Sequence, residues 1–169
     1  PAVYDGRVYI SSRDKRVYAL DVATGEELWR LETEGQIDAT PAIRVNEDGA
    51  TVYIGEQSGV FYALDAATGD ILWEYDLGAG GLFASAAVGE NLVYVNNLVG
   101  LTYAFDAITG EVVWEGNIGG PAYSSPSLAG DVLYWMSEFG GLLHAFDAAT
   151  GEQLWQMQIG RQGDFMSAS

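Results

Sequence analysis

Short runs in which apolar and polar residues alternate follow one another along the chain, and no segment carries an apolar stripe of useful length at helical spacing. The first run, Arg7-Val8-Tyr9-Ile10-Ser11, is β-branched and aromatic, and a polar turn at Arg13-Asp14-Lys15 follows it. A second run, Val17-Tyr18-Ala19-Leu20, ends in Asp21, after which Thr24-Gly25 turns the chain into Glu27-Leu28-Trp29-Arg30-Leu31. Period-two alternation bounded by glycine and aspartate predicts strands joined by hairpins. With the short stretch around Thr40-Pro41-Ala42-Ile43, the pattern predicts four strands per unit.

The unit then recurs. ALDVATGEELW (19–29) returns as ALDAATGDILW (63–73), AFDAITGEVVW (104–114) and AFDAATGEQLW (145–155). The tryptophans Trp29, Trp73, Trp114 and Trp155 are separated by 44, 41 and 41 residues, a spacing at which repeats mean solenoids, propellers or arrays. Four strands in about 42 residues make the blade of a β-propeller. The expectation is an all-β propeller of four-stranded antiparallel blades, four in this chain. They form one domain or half-propeller over 1–169, with repeats at approximately 1–40, 41–85, 86–125 and 126–169.

Each residue of the Asp-x-x-Thr-Gly turn has a physical reason. Gly25, Gly69, Gly110 and Gly151 can take the positive φ that closes a tight hairpin, while Asp21, Asp65, Asp106 and Asp147 accept hydrogen bonds from the turn they open. Metal binding by these aspartates would need several oxygen ligands at one point, whereas they fall in separate repeats, so they are read as scaffold.

The pattern A-[LF]-D-x-x-T-G-x-x-x-W, carried four times, resembles the PQQ-like, or tryptophan-docking, propeller repeat family over essentially the whole chain. It is similar to the propeller lipoproteins of outer-membrane β-barrel assembly and to quinoprotein dehydrogenase propellers. The resemblance implies that Trp29, Trp73, Trp114 and Trp155 pack across to neighbouring blades.

Aligned columns account for residues that otherwise look chemical. Tyr18, Tyr62, Tyr103 and His144, the sole histidine, share one place, which makes His144 an aromatic packing residue rather than a general base. Trp135 stands with Ile10, Ile54 and Val95 and is expected in the core or on a blade face. Lys15, the sole lysine, stands where Gly59 and Gly100 turn the chain and is expected as an exposed turn residue. Loop insertions at Asn46-Glu47-Asp48-Gly49 and Arg161-Gln162-Gly163-Asp164 are weak candidates for partner contacts. A varied column, Asp38, Phe83, Tyr123 and Ser167, precedes the first strand of successive blades. It is a candidate for partner or channel-mouth contacts, with local packing as the blander reading.

Composition sets outer limits. Of 169 residues 49% are hydrophobic, which supplies an ample core, and no apolar run approaches the ~20 residues that span a bilayer. Twenty-four acids against seven bases give a net charge of −17, which disfavours nucleic acid and anionic membrane surfaces as partners. Cysteine is absent, so thiols say nothing of compartment. No targeting segment is visible, and an extracytoplasmic location, periplasmic or at the cell surface, is what the family resemblance implies.

Three functions follow: a non-catalytic scaffold for protein–protein contacts, a quinoprotein dehydrogenase using pyrroloquinoline quinone with calcium, and an extracellular sensor module of a larger signalling protein. The scaffold leads, because the vicinal cysteine pair of those dehydrogenases is missing and no cofactor or metal ligand set can be matched. Pro1-Ala2 and Ala168-Ser169 read as two halves of one boundary motif, seen whole at Ser125-Pro126-Ser127. The expectation is that a second copy or further repeats complete an eight-bladed ring.

Overall fold

The computed structural model describes residues 1–47, 49–78, 80–137 and 141–159. Within them lie sixteen strands and no helix, so none is long and apolar enough to cross a membrane. The strands form four separate four-stranded sheets, each an antiparallel meander in chain order, which is the build of a propeller blade.

The first blade is β1 (Ala2–Tyr4), β2 (Arg7–Ser12), β3 (Arg16–Asp21) and β4 (Glu27–Glu32). The second is β5 (Ala42–Asn46), β6 (Gly49–Gly55), β7 (Val60–Asp65) and β8 (Ile71–Asp76). The third is β9 (Ala87–Val88), β10 (Leu92–Asn96), β11 (Leu101–Asp106) and β12 (Val112–Asn117). The fourth is β13 (Ser127–Ala129), β14 (Val132–Ser137), β15 (Leu142–Asp147) and β16 (Gln153–Gln158).

Burial grades across each blade. The third strands β7 and β11 have four consecutive buried residues, so their sequences read as nearly continuous apolar runs, as strands covered on both faces must. The last strands β8 and β12 are largely exposed. Every blade has a register shift at one place between its third and fourth strands: at Ala19/Leu20, Ala63/Leu64, Ala104/Phe105 and Ala145/Phe146. The extra residues of these bulges, Leu28, Leu72, Val113 and Leu154, are exposed. A bulge re-aims the side chain that follows it, and that side chain is the repeated tryptophan.

The chain divides into two compact units, Pro1–Ser85 and Ala86–Ser169. In the first unit the core joins Tyr9, Val17 and Trp29 to Val52, Ile54 and Leu64. In the second it joins Tyr94 and Ala104 to Leu133, Trp135 and Phe146. Each core therefore draws on two blades, and neither blade of a unit buries its apolar face alone.

Candidate functional site

The Asp-x-x-Thr-Gly turns are built alike. Asp21 Oδ1 accepts the N–H groups of Ala23 and Thr24 at 3.0 and 2.8 Å and the Thr24 hydroxyl at 2.9 Å. Asp65, Asp106 and Asp147 accept the corresponding amide pairs at 2.7–3.0 Å. Hydrogen bonds from Thr24 and from Thr150 hold Asp21 and Asp147 below the usual carboxylate range. Gly25, Gly69, Gly110 and Gly151 all lie at φ between +73° and +80°.

The tryptophans meet these turns. Trp29 Nε1 donates to the carbonyl of Ala66 at 3.1 Å, and the Tyr9 hydroxyl donates to the same oxygen at 3.0 Å. The indole lies against Gly69 so closely that a Cβ there would come within 2.7 Å of it. In the second unit Trp114 Nε1 donates to Ala148 O at 2.9 Å, and a Cβ on Gly151 would again be 2.7 Å from the ring. The same lock is therefore seen in both units: indole N–H to the carbonyl after the turn aspartate, ring face on the turn glycine. Sequence reading singled out the tryptophan and the glycine but not the carbonyl, since Ala66 and Ala148 contribute only backbone.

Trp73 and Trp155 complete the set. Trp73 packs among Tyr53 and Phe61 with ring centroids 5.9 and 5.7 Å apart. Trp155 touches Tyr134 at 5.9 Å but is 41% exposed, against 9% for Trp29. On the same face of β16 and its continuation stand Met157 and Ile159, 57% and 52% exposed. At the other end of the repeat series, Val22 is 56% exposed where its counterpart Ala66 is 3% exposed. A Cβ on Gly25 would meet nothing within 4 Å.

Other singled-out residues have definite places. His144 is 3% exposed and stacks on Phe146. Its ring nitrogens lie 3.5 Å from Gln153 Oε1 and 3.4 Å from Ser137 Oγ, and burial lowers its pKa. Serine, histidine and an amide in a row have the order of a nucleophile and its base, but Ser137 and His144 are both buried. Trp135 is buried, with its Nε1 donating to Asn96 Oδ1 at 2.9 Å, and Asn96 in turn donates to Ala122 O at 2.8 Å. Lys15 is an exposed turn residue at φ +67°.

Asp38 accepts hydrogen bonds from Arg13 and Gln57, Phe83 is half-buried and Tyr123 is exposed. Ser167 and the Arg161–Asp164 insertion lie outside the described residues, as do Ala168 and Ser169. In the other insertion Asn46 pairs with Gly49, and Asp48 lies outside the described residues. Glu56, which sequence reading missed, is fully buried and accepts the Gly35 N–H at 2.7 Å and the Ser58 hydroxyl. It ties the loop after β4 to the turn after β6. Among the described residues no three His, Cys, Asp or Glu side chains gather as metal ligands would.

The chain matches the family model for the outer membrane protein assembly factor BamB over residues 1–81 and 57–168. Among solved structures it is similar to BamB from Moraxella catarrhalis, at 26% identity and TM-score 0.78, over 94% of this chain and 47% of that one. It is similar in fold to the computationally designed Ika8 protein, at 18% identity and TM-score 0.82, over 98% of this chain and 50% of that one. A quinohemoprotein alcohol dehydrogenase, ADHIIG of Pseudomonas putida HK5, shares the fold at 24% identity and TM-score 0.78, over 94% of this chain and 34% of that one. The chain thus spans about half or less of the length of these neighbours. No curated protein matches it significantly.

Proposed function

Because the chain belongs to the outer membrane protein assembly factor BamB family, we propose that it is a non-catalytic β-propeller scaffold for protein–protein contacts, working outside the cytoplasm in the periplasm or at the cell surface. The observation that carries this reading is the uncovered docking face of the fourth blade, where Trp155, Met157 and Ile159 stand exposed. An apolar stripe of this kind on a strand edge is an interaction surface rather than ordinary exterior.

In this reading Trp29, Trp73, Trp114 and Trp155 are the blade-docking residues, and the turn aspartates and glycines hold their seats. The four blades are half of an eight-bladed ring, completed by a second copy or by further repeats. Trp155 supplies an indole with an open face, and Val22 and Gly25 supply the carbonyl and the bare glycine that such an indole takes at Ala66 and Gly69. Two copies joined by this pair would make two identical junctions about a two-fold axis. Asp38, Phe83 and Tyr123, with Ser167, are proposed as contacts at the mouth of the completed ring.

The fold alone does not distinguish a scaffold from a quinoprotein enzyme. Titration of the protein with pyrroloquinoline quinone and calcium, followed by absorbance, tests the choice. The scaffold reading expects no saturable change; a saturable, stoichiometric spectral shift would overturn it.

A further inference from the structure

Positive charge is unevenly placed along the sequence: between Arg44 and Arg161 there is no lysine or arginine. The second unit therefore offers its acidic groups almost no internal partner. One place in it is shaped to take a cation from outside. Between the β9–β10 turn, the β13–β14 turn and the turn after β15 lies an open cleft of about 580 Å³, whose lining includes Glu90, Leu92, Tyr94, Leu128, Asp131 and Asp147.

Three features of the cleft point to a ligand. Tyr94 is 3% exposed and lines the cleft, and its hydroxyl makes no hydrogen bond among the described residues. Burial raises its pKa, and the charges of Asp147 and Asp131 raise it further, so the phenol stays neutral and its oxygen is free to accept. The Asp131 carboxylate is likewise unpaired among the described residues. Asp147 commits Oδ1 to its own turn, bonding Ala149 N–H at 3.0 Å and Thr150 N–H and hydroxyl at 2.9 Å each, which leaves Oδ2 available.

The first unit carries a cation at the matching edge of its blade. Arg7 pairs in register with the turn aspartate Asp21, as Leu92 pairs with Asp106. Arg7 thus occupies in the first blade the position of Leu92 in the third, two residues before the equivalent tyrosine, Tyr9. Its guanidinium bonds Asp5 at 3.2 Å; burial raises the pKa of Tyr9, and the Arg7 charge opposes that rise. Tyr9 has its own acceptor in Ala66 O. In the third blade Leu92 takes the place of Arg7, and among the described residues no hydrogen bond joins the Tyr94 hydroxyl to Ala148 O, the counterpart of Ala66 O. Glu90 and Asp147 stand where the first unit has Asp5 and Asp65, and Asp131 stands where it has Ala50.

We propose that this cleft binds the arginine side chain of a protein partner. Its guanidinium would fork between Asp131 and Asp147 and donate to the Tyr94 hydroxyl, with its stem over Leu92 and Leu128. Only the source of the arginine, a protein, rests on the scaffold reading.

The test is a ¹⁵N NMR titration of the whole chain with acetyl-Gly-Arg-Gly-amide, beside the same peptide with neutral citrulline. Saturable shifts are expected at Asn91–Leu92, Asp131 and Asp147–Ala149, with citrulline about tenfold weaker, as expected for loss of charge-assisted hydrogen bonds. Asp131→Asn, on an exposed turn, is expected to weaken the arginine peptide about as much, and Tyr94→Phe to weaken it while leaving the fold intact. Leu92→Arg is expected to abolish binding by filling the cleft. Equal binding of the two peptides, binding indifferent to Asp131→Asn, or shifts confined to other regions would overturn the proposal. Peptide binding without any protein partner would sink the scaffold reading and leave the cleft; partner binding without peptide binding would do the reverse.

Discussion

Gly69 faces two separate demands, and replacing it with alanine separates them. The residue sits at φ +80°, where an L side chain costs about 1–2 kcal/mol, offset by about 0.4–1 kcal/mol from the stiffer unfolded chain. Its added Cβ would also lie 2.7 Å from Cδ2 and Cε3 of Trp29. The indole cannot retreat without lengthening its 3.1 Å bond to Ala66 O or moving off Tyr9, 5.9 Å away between centroids. Forced overpacking of this kind costs about 1–3 kcal/mol. Gly6, in the same unit at φ +70° with nothing within 4 Å of its Cβ position, has the first demand without the second. Gly6→Ala should therefore cost about 1 kcal/mol and Gly69→Ala roughly 2–4 kcal/mol, read from denaturant midpoints at unchanged slope. A double-mutant cycle with Trp29→Ala should bring the Gly69→Ala cost down to that of Gly6→Ala. Equal costs for the two glycines, or a Gly69 cost unchanged without the indole, would refute the lock.

Burial holds His144 below its ordinary value of 6.5, so the unfolded imidazole takes up a proton that the folded one refuses. Its contribution is complete above about pH 6.5 and is lost as pH falls below it; a pH series of thermal melts should show this loss, and His144→Tyr, the residue at the equivalent place in the other blades, should remove it. An unchanged slope in that variant would contradict the assignment. With a net charge of −17, melting temperature should rise as salt shortens the Debye length from ~30 Å at 0.01 M to ~10 Å at 0.1 M, and a flat or falling curve would show that the surface does not repel itself. Gly25→Ala, harmless to packing within one chain, should weaken pairing of two chains in sedimentation experiments if Trp155 of one seats on Gly25 of the other.

The all-β, four-bladed architecture was legible because one hydrophobic pattern and one turn chemistry recur at every level. Asp-x-x-Thr-Gly states its turn in side chains, and the columns placed His144 and Trp135 correctly in packed positions. The bulge before each tryptophan was not legible: Leu28 and Leu72 look like any inward strand residue, and only the register shift turns them outward. Nor was the acceptor of the indole N–H, since a carbonyl carries no sequence identity. Glu56 reads as an ordinary turn acid until the Gly35 amide is seen on it. The Tyr94 cleft was hidden for a related reason. Arg7 and Leu92 both suit a strand, and their difference acquires meaning only when the same register position is seen to carry a cation in one blade and none in the other.

The central claim is that the exposed face of Trp155 seats on a further set of blades, and the mass of the chain in solution tests it most directly. Sedimentation equilibrium at micromolar concentration should give twice the 18.1 kDa of a single chain, with Trp155→Arg reducing the mass to one chain. A compact particle of single-chain mass that binds no hydrophobic dye would contradict the account and require the Trp155 face to be covered within one molecule.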